Sequence, residues 1–181
     1  MMVGVAIFLI ANENASATPI TEAETAIKNL WDEMMARWST DQQRVINKII
    51  AEANKDGVDP ALALGVAQWE QRANPFVNGI TAYDNKSYGI FQIQPSSAGQ
   101  VLGYPVSVQQ LLTDEDINIE AGVKYIAWLL ASLPDEPYAI AAYNHGIGNV
   151  QKGLFNPATD PYTLGVQKYE AQWATTLQQS Q

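Results

Sequence analysis

Apolar residues recur at helical spacing along most of the chain. Ile27, Leu30, Trp31, Met34, Met35 and Trp38 share one face and follow Thr21 and Glu24. Ser/Thr followed three residues later by Glu lets each side chain satisfy the other's free amide, so the pattern predicts a helix over about 22–38. Val45, Ile46, Ile49, Ile50 and Ala53 mark a second helix, closed by Asp56-Gly57. Asp59-Pro60 opens a third. The Asp caps exposed N–H groups, and the Pro fits a first turn that needs no amide hydrogen. This helix reaches to about Gln71 and ends before Asn74-Pro75, because the residue ahead of a proline is pushed out of helical backbone angles.

The stretch 74–92 is patterned differently. Gly79, Asp84-Asn85 and Gly89 are turn residues, while Tyr83, Tyr88, Ile90, Phe91 and Ile93 favour extended backbone. One small β-hairpin is expected here, with or without a third short strand. Helical periodicity returns after Pro95, over 96–102, 107–112, 116–133, 137–143 and 161–178. The third of these, 116–133, puts Ile119, Val123, Ile126, Ala127 and Leu130 on one face; the last is expected to pack Leu164, Tyr169 and Trp173. The fold class that results is mainly α, an α+β arrangement of helices with a single small β-hairpin. Strands and helices do not alternate, and Gly146-Ile147-Gly148 follows no strand, so a nucleotide-binding βαβ unit is not supported.

Charge narrows the partners. The chain has 181 residues, 47% hydrophobic and 16% charged, with a net charge of −9. That length and composition suit one folded domain. An acidic surface excludes nucleic acid as a partner and does not grip an anionic polymer by bulk charge. A polymer ligand must be held locally, by hydrogen bonds and ring stacking, and five Trp, eight Tyr and four Phe supply rings for a core or for a groove. Without cysteine there is neither a disulfide framework nor thiolate chemistry, and the single His145 excludes a multi-histidine metal site. Asp114-Glu115-Asp116 reads as a helix start, so no metal and no cofactor are expected. Near the N-terminus, Val3 to Ala11 is mostly apolar and Ala15-Ser16-Ala17 resembles the cleavage site of a secretory signal. The run is too short to span a membrane. Against a signal, no Lys or Arg precedes the run and Glu13 lies close to the small residues, so an N-terminal arm stands beside it as an equal alternative. Residues 1–20 are therefore expected to be a signal segment or an arm, and 21–181 one domain.

Glu70 carries the candidate chemistry. It stands near the end of the apolar helix segment Leu62-Ala63-Leu64-Gly65-Val66-Ala67-Gln68-Trp69. Carboxylates are costly to bury without a partner. A Glu on such a helix is either water-facing at the helix end or a carboxyl kept dry for proton transfer.

Four segments then occur in order: Glu70 with Asn74-Pro75; Ser87-Tyr88-Gly89-Ile90-Phe91-Gln92-Ile93; Asn118-Ile119-Glu120-Ala121-Gly122; and Ala141-Ala142-Tyr143-Asn144-His145-Gly146. This series resembles the lytic transglycosylases of the soluble type, in the lysozyme-like superfamily, and their goose-type lysozyme relatives. Their pattern is a helix ending in a catalytic Glu, a GLMQ segment, an N-x-x-x-G helix and an AYN-x-G turn. The resemblance covers about residues 60–150. It implies a peptidoglycan-cleaving enzyme in which Glu70 protonates the leaving oxygen of a MurNAc–GlcNAc bond. Glu70 then takes the proton from the sugar's own C6 hydroxyl, leaving a 1,6-anhydro end. The apolar helix and the carbonyl end of its dipole both favour the protonated acid.

By the same resemblance Tyr143 lies near Glu70 and orients it, Gln92 shapes the floor of the site, and Asn144 contacts sugar or braces its loop. Gln92, Asn144, Tyr88, Phe91 and Gln94 are expected among the substrate contacts. Asn118 and Gly122 match packing positions. Gln71 stands where the pattern commonly has Ser, and Gln94 where Met is frequent. Asp84, fourteen residues after Glu70, matches the place of an aspartate that holds the attacking water in goose-type lysozymes. As a turn residue it does nothing of the kind; as a second carboxylate it implies an inverting hydrolase. A wall-binding or particle-structural module without activity is the remaining alternative. The implied partner is the peptidoglycan glycan strand. The implied location is periplasmic, extracellular or on a phage particle, with secretion machines or phage components as further partners.

Overall fold

Side chains that satisfy free backbone amides fix where the helices begin. The computed structural model describes residues 22–81 and 86–178. Helix α1 spans Glu22–Met35 and α2 spans Thr40–Asp56. Ser39 and Gln42 form a capping box at the start of α2, and Gly57, at φ 71°, closes it in the left-handed conformation that glycine adopts without strain. Helix α3, Pro60–Gln71, begins as expected with Asp59 accepting from the Ala61 amide. The remaining helices are α4 (Pro95–Leu102), α5 (Val108–Thr113), α6 (Glu115–Ser132), α7 (Glu136–His145), α8 (Ile147–Gln151) and α9 (Pro161–Gln178).

Helix α3 is apolar on nearly every side and is accordingly buried from Ala61 to Ala67. Its main neighbour is α9, which runs antiparallel to it. Two glycines permit the close approach. A Cβ at Gly65 would stand 2.9 Å from the Glu170 amide nitrogen, and one at Gly165 would stand 2.2 Å from the Trp69 ring. Around this pair one part of the core gathers Ile46, Ile49, Leu62, Leu64, Val166 and Trp173; a second part, under α4–α8, gathers Ala98, Leu111, Leu129, Ala141 and Val150. Tyr143 packs against both.

The structure departs from the sequence expectations in four places. Helix α1 ends at Met35, not Trp38. Trp38 turns inward to stack on Trp173, with centroids 6.2 Å apart, and to meet the edge of Phe76. Helix α8 was not expected. On α9, Trp173 is buried as expected, but Leu164 is 49% exposed, and Tyr162, Gly165 and Val166 complete the buried face. The small β element consists, among the described residues, of isolated antiparallel bridges from Tyr88 to Thr81 and to Ile93. No ladder extends from them because Gly89 to Gln92 form a turn, with Gly89 at φ 77° and Gln92 at φ 44°, and the Phe91 amide is taken by the Asn118 side chain. The Thr21 cap, residues 1–20, Tyr83 and Asp84-Asn85 lie outside the described residues.

Candidate active site

Glu70 occupies the last turn of α3, where the helix runs out into a cleft of about 410 Å³. Trp69 and Arg72 flank it from the same helix end; Asn144 and His145 face it from the end of α7, and Tyr162 from the start of α9. The Tyr162 hydroxyl donates to Glu70 Oε1 at 2.6 Å. Burial pushes the Glu70 carboxyl up to about 7, with the Tyr162 hydrogen bond and the Arg72 charge acting the other way. Oε2 is then the oxygen left to carry the proton. Burial also holds the Tyr162 and Tyr143 hydroxyls well above the ordinary tyrosine range, with the nearby Glu70 charge adding to the effect, so both stay neutral donors.

Tyr143 is thus close to Glu70 but does not hold it. Its hydroxyl donates to the Phe91 carbonyl at 2.8 Å, and the orienting contact expected of it comes from Tyr162. Phe91, expected to touch substrate, is 0% exposed. Its ring fills the space that the absent side chain of Gly122 leaves, where a Cβ would lie 2.1 Å away. Gln92 is buried and donates its amide to the carbonyls of Ile80 and Gly89, so it braces the loop from within. Asn144 lines the cleft and is exposed. Tyr88 is half-buried; Gln94 is exposed, precedes α4 without capping it, and stands apart from the residues lining the cleft.

The other motif positions build the frame. Asn118 is fully buried; its Oδ1 accepts from the Phe91 amide at 3.0 Å, and its Nδ2 donates to the carbonyls of Tyr88 and Leu111. Gly89 admits this side chain, since a Cβ there would stand 2.1 Å from Asn118 Nδ2. Gln71 uses both ends of its amide: it donates to the carbonyls of Val77 and Gly89 and accepts from the Val77 amide at 3.0 Å. A serine would be too short to join the end of α3 to both segments.

Sequence reasoning missed Tyr162 and Asp160. Asp160 accepts from the amide and hydroxyl of Thr163, which caps α9, and its other oxygen lies 2.9 Å from His145 Nε2. Burial pushes this carboxyl up, and the hydrogen bonds from His145 and Thr163 outweigh it, leaving it below the ordinary aspartate range. His145 is stacked flat on Phe155, with centroids 3.6 Å apart. The ends of α7 and α9 are tied together in this way two residues from Tyr162. Asp160-Pro161 repeats the Asp-Pro helix start read at Asp59-Pro60, so the cap was visible in the sequence; the partner of Tyr162 was not. Among the described residues, no group of three or more His, Asp or Glu side chains is placed to hold a metal.

Residues 47–162 match the transglycosylase SLT domain. The chain is 32% identical over 120 residues to the membrane-bound lytic murein transglycosylase C of Haemophilus influenzae strain PittEE, and identical to the same extent to that of strain PittGG. The match covers 58% of this chain and 32% of the relative, so the chain spans about a third of the length of these curated relatives. Among solved structures it is similar to an inactive mutant of the lytic transglycosylase Slt from Pseudomonas aeruginosa, with a TM-score of 0.62, 20% identity, and coverage of 88% of this chain and 31% of that one. It is similar also to the 70 kDa soluble lytic transglycosylase SLT70 from Escherichia coli, with a TM-score of 0.62, 22% identity, and coverage of 86% and 30%. At these identities the likeness is one of fold.

Proposed function

Because the chain belongs to the transglycosylase SLT domain family, we propose that it is a lytic transglycosylase that cuts the β-1,4 bond between N-acetylmuramic acid and N-acetylglucosamine in peptidoglycan. One observation carries the reading. Glu70 lines a cleft where burial pushes its carboxyl up to about 7 and the Tyr162 hydroxyl holds one of its oxygens. An acid poised near neutral pH both donates and accepts a proton efficiently.

In this reading Glu70 Oε2 gives its proton to the glycosidic oxygen as the bond to C1 breaks. The carboxylate so formed, steadied by Tyr162 and the Arg72 charge, then removes the proton from the C6 hydroxyl as that oxygen bonds to C1. The proton returns to Glu70, and the product is a 1,6-anhydro sugar. The cleft residues Asn144 and His145 face the same space and serve substrate binding. Tyr143, Gln92 and Phe91 act one layer further in, by holding the loop and helix ends that shape the cleft. On this reading the protein works on the cell-wall side of the membrane. No described helix is long and apolar enough to cross one.

Purified sacculi provide the test. The parent chain releases soluble muropeptides that carry anhydro ends, and Glu70→Gln releases none while keeping its circular dichroism spectrum. Muropeptides heavier by one water would replace the transglycosylase reading with hydrolysis. Undiminished release by Glu70→Gln would remove Glu70 from the chemistry.

A further inference from the structure

Arg72 follows the catalytic helix in a backbone conformation that an L residue rarely adopts, at φ 29° and ψ −70°. Such a residue is retained only where the surroundings hold it, and these conformations gather at ligand-contacting positions. Here the holding contacts are evident. The Arg72 amide donates to the Gln68 carbonyl at 2.9 Å, and the Gln71 side chain ties down the segment that follows through Val77. The guanidinium lies 4.2 Å from the centroid of the Trp69 ring. Trp69 is itself wedged against Gly165 and bordered by Tyr162 and Tyr169, so the surface beneath the guanidinium is fixed.

The charge is set on an aromatic platform, and among the described residues no carboxylate forms an ion pair with it. The better-placed basic residues elsewhere, Arg44, Lys48 and Lys124, are paired with Glu115, Asp116 and Asp56. Arg72 is the one Arg or Lys among the described residues that line the cleft, in a chain of net charge −9. A polymer that bears carboxylates is repelled by this surface at long range, so local affinity needs a cation where the carboxylate lands. A guanidinium already oriented by stacking matches a carboxylate with two parallel N–H donors.

We infer that Arg72 is a specificity-determining residue that receives a carboxylate carried on the lactyl-peptide arm of muramic acid, beside the bond Glu70 is read to cut; the inference rests on the proposed function for its ligand. The neutral N-acetylglucosamine units offer no such group. Arg72 therefore selects the substituted sugar, and Trp69 is its positioning residue.

Binding measured in the Glu70→Gln chain isolates this from cleavage. Three ligands of equal glycan length are titrated by calorimetry: strands with stems, strands stripped by an amidase so that only the lactyl carboxylate remains, and chitooligosaccharides, which have none. Adding Arg72→Gln weakens the stem-bearing strands about tenfold, as expected for loss of one charge-assisted contact, and chitooligosaccharides by less than about twofold. Arg72→Lys falls between, since it keeps the charge and loses the fork. A loss confined to stem-bearing strands assigns the contact to a stem carboxylate, since the lactyl carboxyl is there an amide; a tenfold loss on the stripped strands as well shows that Arg72 receives the lactyl carboxylate once the stem is removed. Equal weakening of all three ligands, or no Arg72-dependent difference in any of them, overturns the inference whether or not the parent lyses sacculi. Failure of the parent to lyse sacculi bears on the proposed function alone.

Discussion

Replacing Glu70 by Gln should stabilise the protein at alkaline pH and leave it nearly unchanged in acid. Burial raises the folded-state carboxyl from an ordinary value of 4.5 to about 7. Between those values the folded chain keeps a proton that the unfolded chain has released. Stability therefore falls as pH rises through this window, and the loss is complete above the folded value. At about 1.4 kcal/mol per pH unit the interval comes to roughly 3 kcal/mol. Glutamine is neutral at every pH and can still accept the Tyr162 hydroxyl, so the variant does not suffer this loss. Urea denaturation of parent and variant, followed by tryptophan fluorescence at pH 4 and pH 8.5, measures the difference. The expected gain is close to zero at pH 4 and about 2–3 kcal/mol at pH 8.5. Glu170, which burial and the Glu136 and Asp59 charges also push up to about 7, titrates in both chains and cancels in the comparison. An equal stability difference at the two pH values would refute the reasoning, because it would mean that the carboxyl titrates alike in the folded and unfolded chains.

Three further perturbations probe the site and its frame. Tyr162→Phe removes a contact that lowers the Glu70 value, so the alkaline limb of the kcat/KM profile on soluble glycan strands should move up by about one to two pH units, with kcat reduced; an unmoved limb would deny Tyr162 its role. Asn118→Ala leaves a buried amide and two carbonyls without their partner and should cost about 2–4 kcal/mol in chemical denaturation, whereas Gln94→Ala, on an exposed side chain, should stay within about 0.5 kcal/mol. Gly165→Ala places a methyl group against the Trp69 ring and should cost about 1–3 kcal/mol with a shifted tryptophan emission; an unchanged spectrum and midpoint would show that the ring is free to move aside.

Local signals made most of the helices legible. Asp59-Pro60, Asp56-Gly57 and the apolar periodicity of α6 gave boundaries within a residue or two of those observed. Each signal is a statement about neighbouring backbone amides, which the sequence contains directly. Glu70 drew attention for a related reason, since a carboxylate on a largely apolar helix is anomalous in any fold. The partner of Glu70 was not. Tyr162 is separated from it by 92 positions, and nothing in Pro161-Tyr162-Thr163 distinguishes a hydrogen-bonding tyrosine from a core one. Phe91 and Gln92 were misplaced because a run of extended-favouring residues looks the same whether it pairs as a strand or folds as a turn over Asn118. The choice was made by one buried side chain reaching across from α6.

The hydrogen bond that joins α3 to α9 has a consequence for how the molecule comes into being. Glu70, Trp69 and Arg72 are synthesised early, yet the group that steadies the carboxyl belongs to the last described helix. Until α9 docks, α3 lacks its principal neighbour, and its apolar surface and its acid are both open to water. In that state the carboxyl has an ordinary acidity and is ionised at neutral pH. On the proposed function, the chemistry is thus switched on by completion of the fold, and a cut between α8 and α9 that let α9 detach would disarm the site without touching any residue that lines it on α3 or α7.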